Sequence, residues 1–140
     1  MAGTMTITID EGLAADGARG GIKRMVCAWT SDGSGDADAT SVKVSGQLVK
    51  AVTDPSATAP TANYDIVITD DASFNVLTNT DDDLMDRHTS TTEEVYFFVL
   101  DHAGTPLAQS LRPAVNSPLT VTVSNAGDTK SGTLYLYYEG

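Results

Sequence analysis

Two alternating runs near the C-terminus limit what this chain can fold into more than any other feature of it. Leu119, Val121 and Val123 alternate with Thr120, Thr122 and Ser124, and Leu134, Leu136 and Tyr138 alternate with Tyr135 and Tyr137. A period of two places the apolar set on one face of an extended strand, whereas a helix would scatter the same residues around its circumference. Each run is therefore a half-buried strand. The polar, glycine-containing link from Asn125 to Gly132 predicts a β-hairpin that ties the second run into a sheet.

Upstream, β-compatible runs recur between turn signals. Thr4 to Ile9 alternates threonine with Met5, Ile7 and Ile9; Ile22 to Thr30 follows a loop-like stretch from Ala14 to Gly21; Ser31 to Asp38 is a polar turn. Thr40 to Val52 holds one long strand or two short ones, with a bend or bulge at Gly46, and Asp54 to Pro60 is a proline-punctuated connection. Tyr64 to Thr69 and Phe74 to Leu77 flank Asp70 to Ser73 as a second hairpin. Leu84 to Arg87 reads as a helical turn, because Asp81, Asp82 and Asp83 place carboxylates where a helix dipole favours them. Glu93 to Leu100 is the most apolar run. With Val95, Phe97 and Val99 opposite Tyr96, Phe98 and Leu100, it is expected to be buried on both sides, one against the core and the other against a subunit. About eight or nine short strands without a helical period predict an all-β chain, an antiparallel sandwich or barrel of jelly-roll-like form. Residues 1–140 read as one domain, with residues 1–20 as an extended arm or edge strand.

At 140 residues the chain is long enough to bury roughly two-thirds of the surface its unfolded form exposes, so no disulfide or metal is required. Cys27, the single cysteine, lies in the apolar stretch Met25 to Trp29 and reads as a buried structural thiol made in a reducing compartment. No segment approaches the roughly 20 apolar residues of a membrane span, and neither a basic segment nor an apolar signal core opens the sequence. A soluble, cytosolically made protein is the expectation. Nineteen acidic against eight basic residues give a net charge of −11, which opposes contact with a phosphate backbone. The excess serves solubility, or forms an acidic face for a basic protein surface.

Motifs for chemistry are sparse. Asp32, Asp36 and Asp38 crowd oxygen ligands into one loop, as calcium prefers, but position twelve counted from Asp32 is Lys43, where an EF-hand needs a bidentate glutamate. A solvated turn is the simpler reading; Asp81 to Asp83 with Asp86 could likewise crowd carboxylates around a divalent ion, but helix-start charges explain them more simply. His88 has Ser90 and Asp86 close in sequence, and His102 adjoins Asp101, yet neighbours on a loop rarely converge in the geometry of an activated nucleophile. There is no Gly-x-Ser-x-Gly turn, no phosphate-binding glycine loop and no zinc-ligand spacing. The residues point to a non-enzyme, with no cofactor and no metal.

Longer blocks carry a resemblance. Ala59 to Asp71 is a proline-containing loop, then Asn63, Tyr64 and Asp65 opening a hydrophobic strand that ends in acidic turn residues; Val76 and Leu77 follow. Asp86 and Arg87 lead into Thr91, Thr92, Glu93 and Val95, and Pro118 to Thr120, Asn125 to Gly127, Lys130 to Gly132 and an aromatic strand complete the set. Together, over roughly residues 49 to 138, these blocks resemble a family of small auxiliary proteins of tailed-bacteriophage particles. The resemblance implies a structural virion protein, synthesised in the host cytoplasm. Its most plausible role is capsid decoration or cement: binding the major capsid protein on the outer surface of an icosahedral head, at capsomer junctions, and stabilising the shell. Such proteins are often trimers, so a homotrimer is expected. A phage tail, head-fibre or receptor-binding β-module is the alternative; neither nucleic acid nor membrane is an expected partner.

In a protein that works by surface contact, exposed aromatics are the first residues to consider. Tyr96, Phe98, Tyr135 and Tyr137 are candidates for the oligomer interface, set against simple completion of the core. Thr4 to Ile9 either adds to a neighbour's sheet or forms an edge strand of its own domain.

Overall fold

In a computed structural model that describes residues 2–11, 21–77, 84–107 and 111–140, the alternating segments form strands, and there is no helix among the described residues. The strands are β1 (Thr4–Asp10), β2 (Ile22–Thr30), β3 (Ala37–Pro55), β4 (Asp65–Thr69), β5 (Glu93–Tyr96), β6 (Ala114–Ser124) and β7 (Ser131–Glu139). Every ladder is antiparallel, so the all-β architecture is as expected. The described residues hold seven strands rather than eight or nine, because some short runs are tied by single bridges instead of ladders. Asn75 bridges Thr69 and Val76 N–H donates to Ile68 O, but Phe74 to Leu77 forms no strand. The run from Glu93 to Leu100 keeps its ladder only to Tyr96. Val95 and Phe97, on the core side of this run, are buried, whereas Tyr96 on the opposite side is 50% exposed in the single chain.

Leu84 to Arg87 is no helical turn. Leu84 O accepts from Ile66 N–H, and Arg87 exchanges backbone hydrogen bonds with Tyr64 and Asn63, so this segment covers the outer edge of β4. Asp81 to Asp83, invoked for a helix start, and residues 14–20 lie outside the described residues.

Leu119, Val121, Val123, Leu134 and Leu136 are fully buried, as their alternation requires. Their two strands do not form a hairpin with each other. The sheet order is β1-β2-β7-β3-β6-β4, with β5 also on β3, so β3 lies between β6 and β7. At 19 residues β3 is long enough to serve both partners: Ala37 to Gln47 pairs with β6, and Gln47 to Pro55 pairs with β7. The change of partner falls beside Gly46, whose φ is +150° and where an added Cβ would sit 1.9 Å from Glu139 O. Only glycine fits so close an approach, and the bend assigned to Gly46 is this corner. One layer is β1-β2-β7-β3-β5, the other the first half of β3 with β6 and β4. Met25, Cys27, Trp29 and Leu136 from the first layer meet Ile66, Ile68 and Val121 from the second in one core.

A single device closes three of the turns. Asp32 Oδ1 accepts from the N–H groups of Ser34 and Asp36, Asp70 Oδ1 from Ala72 and Phe74, and Asp101 Oδ1 from Ala103 and Thr105. In each, the residue three places on has positive φ: Gly35, Ser73 and Gly104. The aspartate acts as a surrogate backbone acceptor while the left-handed residue turns the chain.

Candidate interaction surface

The ladder registers bring five side chains from five strands into one row on the outer face of the first layer: Asp10, Arg24, Tyr137, Lys50 and Tyr96. The next outward row reads Thr8, Val26, Tyr135, Val52 and Glu94. The outward positions follow from the pleat: Leu134, Leu136 and Tyr138 point into the core, so Tyr135 and Tyr137 between them point out.

Within this face the charges lie against the rings. Lys50 Nζ is 5.0 Å from the Tyr137 ring centroid and 5.5 Å from that of Tyr96, so it stands between the two. Arg24 lies 5.2 Å from the Tyr135 centroid. These are cation–π distances. Each cation also has an acidic neighbour: Lys50 donates to Glu94 Oε1 at 2.5 Å, and Arg24 to Asp10 Oδ2 at 3.4 Å. The bond to Glu94 is the main reason that the Lys50 ammonium titrates above the usual lysine range, with the carboxylate charge adding to it. Held laterally by rings and carboxylates, the side chains form an ordered, charge-balanced surface on a chain whose net charge is −11.

Of the aromatics expected at an interface, Tyr96 and Tyr137 are brought together through Lys50, and Tyr135 joins them through its register and Arg24. Phe98 lies beyond β5, half-buried, and has no place in the row. Lys50 and Arg24 escaped the sequence reading. Nothing in the spacing of Lys50 and Tyr137 announces that their strands are neighbours; that follows only from the insertion of β3 between β6 and β7.

Other groups are engaged elsewhere. The N–H groups of Asp36 and Ser34 hold the Asp32 carboxyl below the usual carboxylate range. Among the described residues no three His, Cys, Asp or Glu side chains gather where they could hold a metal. His88 Nε2 approaches Glu93 Oε1 at 3.7 Å and its backbone N–H donates to Glu93 Oε2, so the carboxylate beside His88 is that of Glu93. Surface concavities include about 200 Å³ beside Asp32 and Asp128 and about 260 Å³ beside Arg24 and Tyr137.

No family model and no curated protein matches the chain. A solved structure from work on the promiscuous specificity of carbohydrate-binding modules of the β-sandwich superfamily is similar at 15% identity, with a TM-score of 0.43. That similarity takes in 97% of this chain and 52% of the other, so this chain spans about half the length of that one.

Proposed function

We propose that the chain is a non-enzymatic structural protein of a tailed-phage virion, a decoration or cement protein that binds the major capsid protein on the outside of the head as a homotrimer. The observation that supports this reading is the Tyr96–Lys50–Tyr137 row with Tyr135 and Arg24 beside it. Tyrosine and arginine are favoured anchors of protein interfaces, and side chains already held in place lose little freedom on docking. The row suits protein contact better than sugar stacking, because Lys50 fills the space between two rings where a sugar would lie. Copies meet through this face, and three linked weak contacts with the shell give firm attachment at a capsomer junction.

The test is co-sedimentation of the purified protein with emptied phage capsids that lack it. The expected result is saturable binding to assembled shells and none to unassembled capsid subunits. Absence of shell binding would remove the decoration reading and turn attention to tail, head-fibre or receptor-binding roles.

A further inference from the structure

Lys50 reaches the outer face through an irregularity in its strand. Leu48 and Ala51 are both fully buried although they lie three positions apart, which strict alternation along a strand forbids. The register explains it. Leu48 lies opposite Tyr138 and Lys50 opposite Tyr137, so Val49 is an extra residue, a β-bulge on β3. Without it Val49 would stand opposite Tyr137, and Lys50 would turn toward the core. The bulged carbonyl is not left unpaired, since Phe97 N–H donates to Val49 O at 3.2 Å. Bulges re-aim side chains at working surfaces, and this one aims a lysine.

The place it aims for has a ring on either side. Lys50 is directly opposite Tyr137 on β7 and Tyr96 on β5, and its ammonium is also tied to Glu94 Oε1. A compact ammonium with three donors can serve a carboxylate and two ring faces at once. Lys50 itself is half-buried while Tyr96 beside it is exposed, so the ring stands more open to an approaching surface than the cation that holds it.

We infer that Lys50 is the positioning residue of the tyrosine face: it acts on a docking partner through Tyr96 and Tyr137, by fixing both rings before the partner arrives. Immobilising a free side chain on docking weakens affinity by about two- to tenfold, so two rings set in advance spare that cost twice. The consequence for assembly rests on the proposed reading of this face as a subunit contact. The ordering of the rings in a single chain does not.

The test separates ring order from assembly. Lys50 points outward, so Lys50→Ala and Lys50→Gln leave the core intact, and Lys50→Gln keeps a donor for Glu94 without the charge. NMR relaxation of the tyrosine rings, read at concentrations where light scattering reports single chains of 14.6 kDa, should show Tyr96 and Tyr137 ordered in the parent chain and in Lys50→Arg. Both rings should be mobile in the two neutral variants, with Tyr135, beside Arg24, unchanged throughout. Self-association at higher concentration should weaken about tenfold in the neutral variants and by less than about threefold in Lys50→Arg, which keeps the charge. Rings equally ordered without Lys50 would overturn the inference whatever the assembly does, and so would mobile rings with undiminished association. Ring order lost in the neutral variants of a parent chain that never associates would uphold the positioning role and remove the trimer instead.

Discussion

At the scale of single residues, backbone geometry gives the sharpest expectations. Ser73 holds φ +66° at the turn position that Gly35 and Gly104 occupy in the two sister turns. A side chain there costs roughly 1 kcal/mol that glycine avoids, so Ser73→Gly should raise the melting temperature by about 3–5 °C in calorimetry. Gly46→Ala should do the reverse, since its Cβ would meet the Glu139 carbonyl; a loss of about 2–4 kcal/mol in urea titration is expected. The sequence already marked Gly46 as a bend, because an isolated glycine in a β run needs a reason. Ser73 gave no such signal.

Cys27 and Tyr64 set the alkaline limit. Burial pushes both up to about 12, from ordinary values of 9.0 and 10.0. A raised value means that the unfolded chain releases its protons first, so stability is complete below the ordinary values and falls as pH rises through that window. Thermal melts should therefore decline above about pH 9, and Cys27→Ala should show a smaller decline between pH 8 and pH 11 than the parent chain, whatever its melting temperature at neutral pH.

At the scale of elements, the sequence disclosed faces but not neighbours. Alternation located β1, β2, β6 and β7, and it assigned Leu119, Val121, Val123, Leu134 and Leu136 to the core correctly. Truncating one of them, as in Leu136→Ala, should cost about 2–5 kcal/mol by urea unfolding, because the site is closed on all sides. What alternation cannot disclose is pairing. A glycine-containing link between two runs suggests a hairpin, yet the 19-residue β3 supplies two partner edges at once and separates the pair. The same insertion creates the row of Tyr96, Lys50 and Tyr137. Its tyrosines were legible as outward positions on alternating strands; Lys50 was not, because its role depends on register across three strands. Leu84 to Arg87 misled for a different reason: carboxylates that suit a helix start were weighed without the backbone partners that β4 offers.

At the scale of the whole molecule, the proposed assembly rests on the tyrosine–cation face on the outer side of the larger layer. Light scattering should report three times the 14.6 kDa chain mass if the tyrosine face builds a trimer, and a monomer at high concentration would argue against that assembly. If the protein decorates a shell as proposed, its attachment depends on valency. Linked contacts raise apparent affinity by about 10² to 10⁴, so a chain that has lost its trimer should lose most of its hold even with shell-facing residues intact. The most direct measurement is capsid occupancy of the wild type and of Tyr135→Glu with Tyr137→Glu, both verified as folded by circular dichroism, on emptied heads lacking the protein. Near-complete occupancy by the wild type and little by the variant is the predicted result; equal occupancy by a folded monomeric variant would contradict attachment through a tyrosine-built trimer.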